Sequence, residues 1–314
     1  MQPFVANTDR AWFDFLSMQM TDGRVDEVNF WLPRAQRTMK TMSPGHPVFF
    51  RLKKGVDSVA GFGFFAHFQL LSLHDAWEVF GWRNGDPSRA AFFDRILGYR
   101  LKEMDRASAM RRPLGCTVLR EAHFWNDARW LPWGGSQRFQ RNIVQGKTVK
   151  DPVLAERLML ELGATPVPEE FAPAFQPVDV DERRRSAGTR VAREGQGTFR
   201  LRLLDAYGRR CAITGERTEP VLDAAHIQSY LGPRSNHVQN GLLMTKEFHA
   251  LFDRGLVTVT PDYVVRVSDA IRDQWSNGKR YYAFDGERIR EPLRSSDRPS
   301  REALELHVAE RFVA

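Results

Sequence analysis

The sequence predicts an α+β protein of two domains, a β-rich one followed by a smaller unit of strands, a loop and a helix. Three observations predict this. Residues 1 to about 165 hold seven of the eight tryptophans and alternate short Phe/Val-rich runs with helix-like segments. From Gly163 the texture changes to GATPVPEEFAPAFQPVDVDE, with four prolines and several acids, the composition of an extended connector. Beyond it, DAAHIQSYLGPRSNHVQNGLLMTKEFHALFDRG gathers three of the eight histidines within one apolar-periodic stretch. The boundaries are 1–165 for the first domain, 166–190 for the linker and 191–314 for the second domain.

In the first domain, Thr8 is placed to cap a helix carrying Trp12, Phe15, Leu16 and Met20. EVNFWLP, HPVFFRLKK, SVAGFGFFAHFQLL and GCTVLREAHFW read as strands, bounded by Pro and Gly. HDAWEVFGW and SRAAFFDRILGYRL read as helices inserted among them. In the second domain TFRLRLLDAYG reads as a short helix, and CAITG and VLDAAHI as two strands joined by a polar turn. An irregular loop leads to a helix capped by Thr245, with Phe248, Leu251 and Phe252 as its apolar stripe and Gly255 just past its end. GLVTVT and YVVRVS form a hairpin, and Ser300 caps a last helix whose His307 is a packing or surface residue.

Bulk properties narrow the function. The 314 residues are 42% apolar and 27% charged, as a globular protein requires, and the net charge of +7 favours a polyanionic partner. Between Asp181 and Arg210 nine arginines face four acids, so Arg183, Arg184 and Arg185 are candidates to track phosphates. Two distant cysteines, Cys116 and Cys211, make neither a disulfide framework nor a CxxC zinc knuckle. No window approaches a membrane span and no secretory leader is evident, so a cytoplasmic protein without a membrane partner is expected.

The histidine-rich stretch places His226 at a strand end, Asn240 at the exit of the loop and His249 on the helix. Phosphodiester hydrolysis needs a base for the attacking water, and a neutral imidazole suits that task. It also needs positive charge at the leaving oxygen, which a divalent metal provides.

CAITG, LDAAHI, NGLLM and FHALFDRG together resemble the HNH, or ββα-metal, nuclease module of the Ala-Ala-His-Ile type over residues 211–260. The resemblance implies that His226 is the general base, Asn240 the central Asn and His249 a metal ligand. Where many such modules carry a ligand just before the base, this chain has Ala225, which leaves Asp223, His237 or Asp253 to complete the metal site. Asp253 lies four residues after His249 and can either bind metal or orient it. The implied cofactor is Mg²⁺ or Mn²⁺, with Zn²⁺ as an alternative.

The first domain is similar in pattern to those fused to HNH modules in restriction enzymes, which implies a PUA-like β-barrel related to EVE and SRA readers of modified bases. Asn29 and Trp31 are then candidates for a base cage, with Phe30, Phe65, Trp77, Trp82, Trp125 and Trp130 also available. The expected activity is modification-dependent cleavage of double-stranded DNA, in which a homodimer would supply two active sites. The alternatives are a nuclease triggered by another signal or by ordinary DNA sequence, and a DNA-binding protein whose ββα module is only structural.

Overall fold

The computed structural model describes residues 2–33, 42–53, 55–133, 145–163, 165–183, 194–275 and 279–313. They fall into two units, Met1–Pro168 and Glu169–Ala314.

The first unit is a mixed sheet with helices. Its elements run β1 (Phe4–Thr8), α1 (Arg10–Ser17), β2 (Val25–Leu32), β3 (Pro47–Leu52), β4 (Ser58–Leu71), α2 (Leu73–Phe80), α3 (Arg89–Arg100), α4 (Arg106–Arg111), β5 (Leu114–Phe124), β6 (Leu131–Pro132), β7 (Gly146–Thr148) and α5 (Pro152–Glu161). The strand order is β2-β5-β4-β3-β1-β7, with β6 beside β4. β1 lies parallel to β3, and the other pairs are antiparallel. Among the described residues the path is open, so the expected PUA-like barrel is not closed; β2 and β7 stand at its ends.

The first helix departs from expectation in its start. FVANT forms β1 against β3, so Thr8 ends a strand and Asp9 is the cap, its carboxylate accepting from the Trp12 N–H at 2.9 Å. The core behind it is aromatic. The Trp12 ring meets Phe30 and Phe50 edge-on at 5.4 and 5.5 Å, and Phe13 meets Phe124 at 5.2 Å.

The second unit holds α6 (Gln196–Ala206), β8 (Leu222–His226), β9 (Gly241–Thr245), α7 (Lys246–Asp253), β10 (Val257–Val259), β11 (Val265–Val267), α8 (Ala270–Trp275), α9 (Lys279–Tyr282) and α10 (Arg301–Glu310). CAITG is a turn, not a strand. Its Cys211 carbonyl accepts from the Gly215 N–H and its thiol from the Thr214 N–H, which spends those groups locally. The hairpin is made instead by β8 and β9, in register from Leu222 opposite Thr245 to His226 opposite Gly241. α7 ends as expected: Gly255, at φ +68°, closes a Schellman turn in which Leu256 N–H donates to Leu251 and Gly255 N–H to Phe252.

Residues 169–183, within the stretch read as linker, run along this unit. The N–H groups of Phe175, Val178 and Glu182 donate to Gln239, Gln228 and Leu231 respectively, and Phe175 and Val178 are buried. No helix among the described residues is long and apolar enough to cross a membrane.

Candidate active site

β8 alternates its side chains between two environments. Its second residue, Asp223, and its last, His226, are separated by an odd number of positions and leave opposite faces of the strand. Gly241, the register partner of His226, shares its face, and α6 closes on that face: a Cβ at Gly241 would lie 2.6 Å from Leu203 and 2.7 Å from Phe199. The glycine thus admits the Phe199 ring, which stacks on His226 at 4.1 Å and 10°. Tyr230 meets the imidazole edge-on at 5.8 Å, and the Asn236 Oδ1 lies 3.1 Å from its Nε2.

On the other face α7 brings His249 to Asp223. His249 Nδ1 donates to Asp223 Oδ2 at 2.8 Å, and its Nε2 is 3.4 Å from Asp253 Oδ2 one turn along the same helix. Burial works to raise the Asp223 carboxyl, but the hydrogen bond and charge of His249, the Ala224 N–H and Arg200 outweigh it and hold the group below the usual carboxylate range. His249 therefore bridges two carboxylates at a partly exposed surface. One imidazole and two carboxylates form a donor set suited to Mg²⁺ or Mn²⁺. Both ring nitrogens face carboxylates, so among the described residues no group of three or more His, Cys, Asp or Glu converges in a geometry that could hold a metal ion.

Asn240 is fully buried and serves the loop. Its Oδ1 accepts from Gln228 N–H at 2.8 Å, and its Nδ2 donates to the carbonyls of Gln228 and Ser235 at 3.0 and 2.9 Å. Its own carbonyl receives the Ile227 N–H at 2.9 Å, so it ties the end of β8 to the loop that follows. The asparagine whose side chain reaches the His226 ring is Asn236.

The remaining candidates divide. His237, expected at the loop surface if not on the metal, is buried; its Nδ1 accepts from Gln239 N–H and its Nε2 donates to the Ala172 carbonyl. Burial and the nearby Arg202 charge pull its pKa down against that bond, so it is a neutral fastener of the loop. His307 is also interior, stacked on Phe252 at 3.8 Å, with its pKa lowered to about 4 by burial. Arg183 is exposed and its guanidinium is held by Asp181, while Arg184 and Arg185 lie outside the described residues.

Asn29 and Trp31 are not placed as a base cage. Both leave the face of β2 covered by residues 81–84, and Asn29 is fully buried. Asn29 Nδ2 donates to Asn84 Oδ1 at 2.8 Å and Trp31 Nε1 to the Asn84 carbonyl at 2.8 Å, so they fasten β2 to that turn. The first unit instead opens a cleft of about 260 Å³ at the ends of β4 and β5, lined by Phe62, His123, Trp125, Arg129 and Glu161 among others.

A two-stranded hairpin, a loop clamped by an asparagine and a helix carrying a carboxylate-bridging histidine define a ββα nuclease module. Residues 211–260 match the family model described as HNH endonuclease. This part of the chain is an HNH endonuclease domain, and the protein is a nuclease. No curated protein matches the chain. Among solved structures, a point mutant of the ZmASCH protein from Zymomonas mobilis is similar at 12% identity and TM-score 0.35, over 51% of this chain and 99% of that one. The modification-dependent TagI restriction endonuclease is similar at 13% identity and TM-score 0.25, over 92% of this chain and 78% of that one. At such scores neither likeness bears on fold or function.

Proposed function

We propose that the protein is a restriction-type endonuclease that hydrolyses DNA carrying a modified base, with the second unit cutting and the first selecting. The observation that carries the cutting half is the match of residues 211–260 to the HNH endonuclease model, together with the Asp223–His249–Asp253 cluster that α7 builds on the face of β8 opposite to His226. HNH nucleases are generally metal-dependent, and here His249 Nε2 with Asp253 would hold a divalent ion while Asp223 orients the ring through Nδ1. When bound, such an ion would supply positive charge at the leaving 3′ oxygen. His226 takes a proton from the attacking water, and Phe199 keeps its ring from rotating out of line. Asn240 holds the loop beside His226 in one conformation, and Asp223 fixes the orientation of the His249 ring.

The cleft of the first unit supports the selecting half. An enzyme that reads a base extrudes it and stacks it between flat groups while polar atoms meet its edge. Phe62 and His123 lie parallel at 4.7 Å, and the Arg129 guanidinium covers Trp125 at 5.0 Å, so planar surfaces already line the space. Among the described residues His123 Nε2 is buried without a hydrogen bond of ordinary geometry, with the Gly23 backbone close to the ring. Burial, with the charge of Arg24, lowers the pKa of that ring and keeps it neutral, so this nitrogen can serve a base edge.

The test is a panel of DNA containing 5-methylcytosine, hydroxymethylcytosine, glucosylated hydroxymethylcytosine or phosphorothioate, beside the unmodified sequence, with Mg²⁺ or Mn²⁺. Cleavage of one modified substrate with the unmodified one spared is expected. Equal cutting of all would remove the selecting half.

A further inference from the structure

The loop between β8 and β9 is fastened from outside the hairpin, by the segment that precedes α6. That segment, residues 169–183, follows directly on the first unit, which ends at Pro168. Gln228, two residues past His226, is held on two sides. Asn240 takes its backbone N–H and carbonyl, while its own side chain closes a pair of bonds on Val178. Its Oε1 accepts from the Val178 N–H at 2.7 Å and its Nε2 donates to the Val178 carbonyl at 2.9 Å. A backbone N–H only donates and a carbonyl only accepts, so the orientation of that amide is fixed. At the far end of the loop Gln239 Oε1 accepts from the Phe175 N–H at 2.8 Å. Beside it His237 Nε2 donates to the Ala172 carbonyl at 2.8 Å, with its ring 5.9 Å from that of Phe175. Between these ends the Glu182 N–H donates to the Leu231 carbonyl, and Arg234 pairs with Glu169 and Glu182. The Arg234 pairs are partly exposed and count for little; the buried Phe175 and Val178 and the bonds beside them hold the segment. Gly232 admits this approach, since a Cβ there would lie 2.9 Å from the Glu182 Cβ.

We propose that residues 172–182 are a working part of the nuclease, a strap that holds the β8–β9 loop in the shape cutting requires, with Gln228 as the positioning residue through which it acts. The proposal rests on the nuclease reading of the second unit. Within the loop only the short turns at 233–236 and 238–240 are regular, so its shape depends on what it is tied to. Asn240 ties it to the hairpin, whereas Gln228, His237 and Gln239 tie it to the strap. The ladder of β8 and β9 does not include the strap, so loosening the strap leaves the hairpin paired but frees the residues that follow His226. A misplacement of about 1 Å beside reacting groups costs on the order of 100-fold in rate. A segment with the composition of a linker thus belongs to the cutting unit, and a module begun at residue 191 would lack it.

The test joins hydrogen exchange to turnover, both on the full-length protein. Residue-resolved exchange of the wild type should show the Phe175, Val178 and Glu182 amides protected. Exchange of all three at the rate of an unfolded chain overturns the proposal. Gln228→Met keeps the length of the side chain and removes both bonds to Val178; Phe175→Ala removes the strap's buried ring and alters no residue of β8, β9 or α7. Each variant is assayed well below its own melting temperature, on the DNA that the wild type cuts best. Each should lose about 10- to 100-fold in kcat with KM unchanged, and Gln228→Met should also lose protection at Val178. A strap that only adds stability would lower the melting temperature and leave the folded variants with the wild-type kcat, and that result overturns the proposal. If one variant does not fold, the other decides. Failure of the nuclease reading is a separate result: wild-type protein that cuts no DNA although its strap amides are protected.

Discussion

The two units use aromatic rings differently. In the first, aromatic packs on aromatic: Trp12 on Phe30 and Phe50, Phe13 on Phe124, Phe50 on Phe124. In the second, Phe248 meets Tyr281 and Phe284 in the same way, but three other rings pack on imidazole: Phe199 on His226, Phe252 on His307 and Phe175 beside His237. The first arrangement buries area and fills space. The second also fixes the plane of a group that can exchange protons, leaving hydrogen bonds to choose which nitrogen carries one. Phe62 against His123 is the case in the first unit that follows the pattern of the second, and it lines the cleft. The contrast teaches that an aromatic-rich segment is not by itself a recognition surface; the ring that matters is the one paired with a polar partner.

That comparison can be broken or sharpened by variants in each unit. The largest effect is expected from His249→Ala, which removes the ring shared by Asp223 and Asp253. Cleavage should fall about 10³-fold, the equivalent of several kcal/mol of charge stabilisation, while any preference among substrates persists. Gel assays of initial rate on the preferred and unmodified DNA read both quantities.

Next, Asn240→Ala strips the partners from a buried N–H and two carbonyls around residues 228–235 and should cost the second unit about 3 kcal/mol. Calorimetry should register it in the transition of that unit and leave the first unit's transition in place.

Acid should act on the same unit. His307 has a folded pKa of about 4 against an ordinary 6.5, so the unfolded chain takes up the proton first. Its neutral form contributes stability that is present above about pH 6.5 and lost as pH falls toward 4, amounting to about 2 kcal/mol between pH 7 and pH 5. His237, shifted in the same direction, adds to the loss. A melting temperature of the second unit that is flat across this range would contradict the neutral, buried assignment.

The smallest effect belongs to the cleft. His123→Leu keeps apolar packing on Phe62 but removes the ring nitrogens from the cleft, and should reduce the preference for modified DNA about tenfold, one hydrogen bond's worth, without changing the rate on a substrate lacking the modification.

How much of this was legible in the sequence depends on how local the signal is. β4, β5, α3 and α10 follow from long apolar runs and caps that need no tertiary information. β1 did not, because FVANT is a five-residue strand whose role is set by pairing with β3 over forty residues away. CAITG has strand composition yet folds as a turn, because Thr214 N–H finds the Cys211 thiol three residues back. In the site, the spacing of His249 and Asp253 on one helix face was readable, whereas the Asp223 contact needed the register of β8 and the packing of α7. Alternation along NFW shows that Asn29 and Trp31 share a face, but not that residues 81–84 cover it. Asn236 carried no signal at all, since its contact with His226 exists only once the loop is closed against Glu194.

The central claim is that His226, seated between Phe199 and Asn236, is the base of a metal-dependent phosphodiesterase. The most direct measurement compares wild type and His226→Ala on supercoiled DNA bearing the preferred modification, with Mg²⁺ or Mn²⁺, after melting curves confirm that both proteins are folded. Nicking by the wild type and a loss of about 10³-fold in the variant, with DNA binding retained, is the predicted result. A folded His226→Ala protein that cuts at the wild-type rate would contradict it.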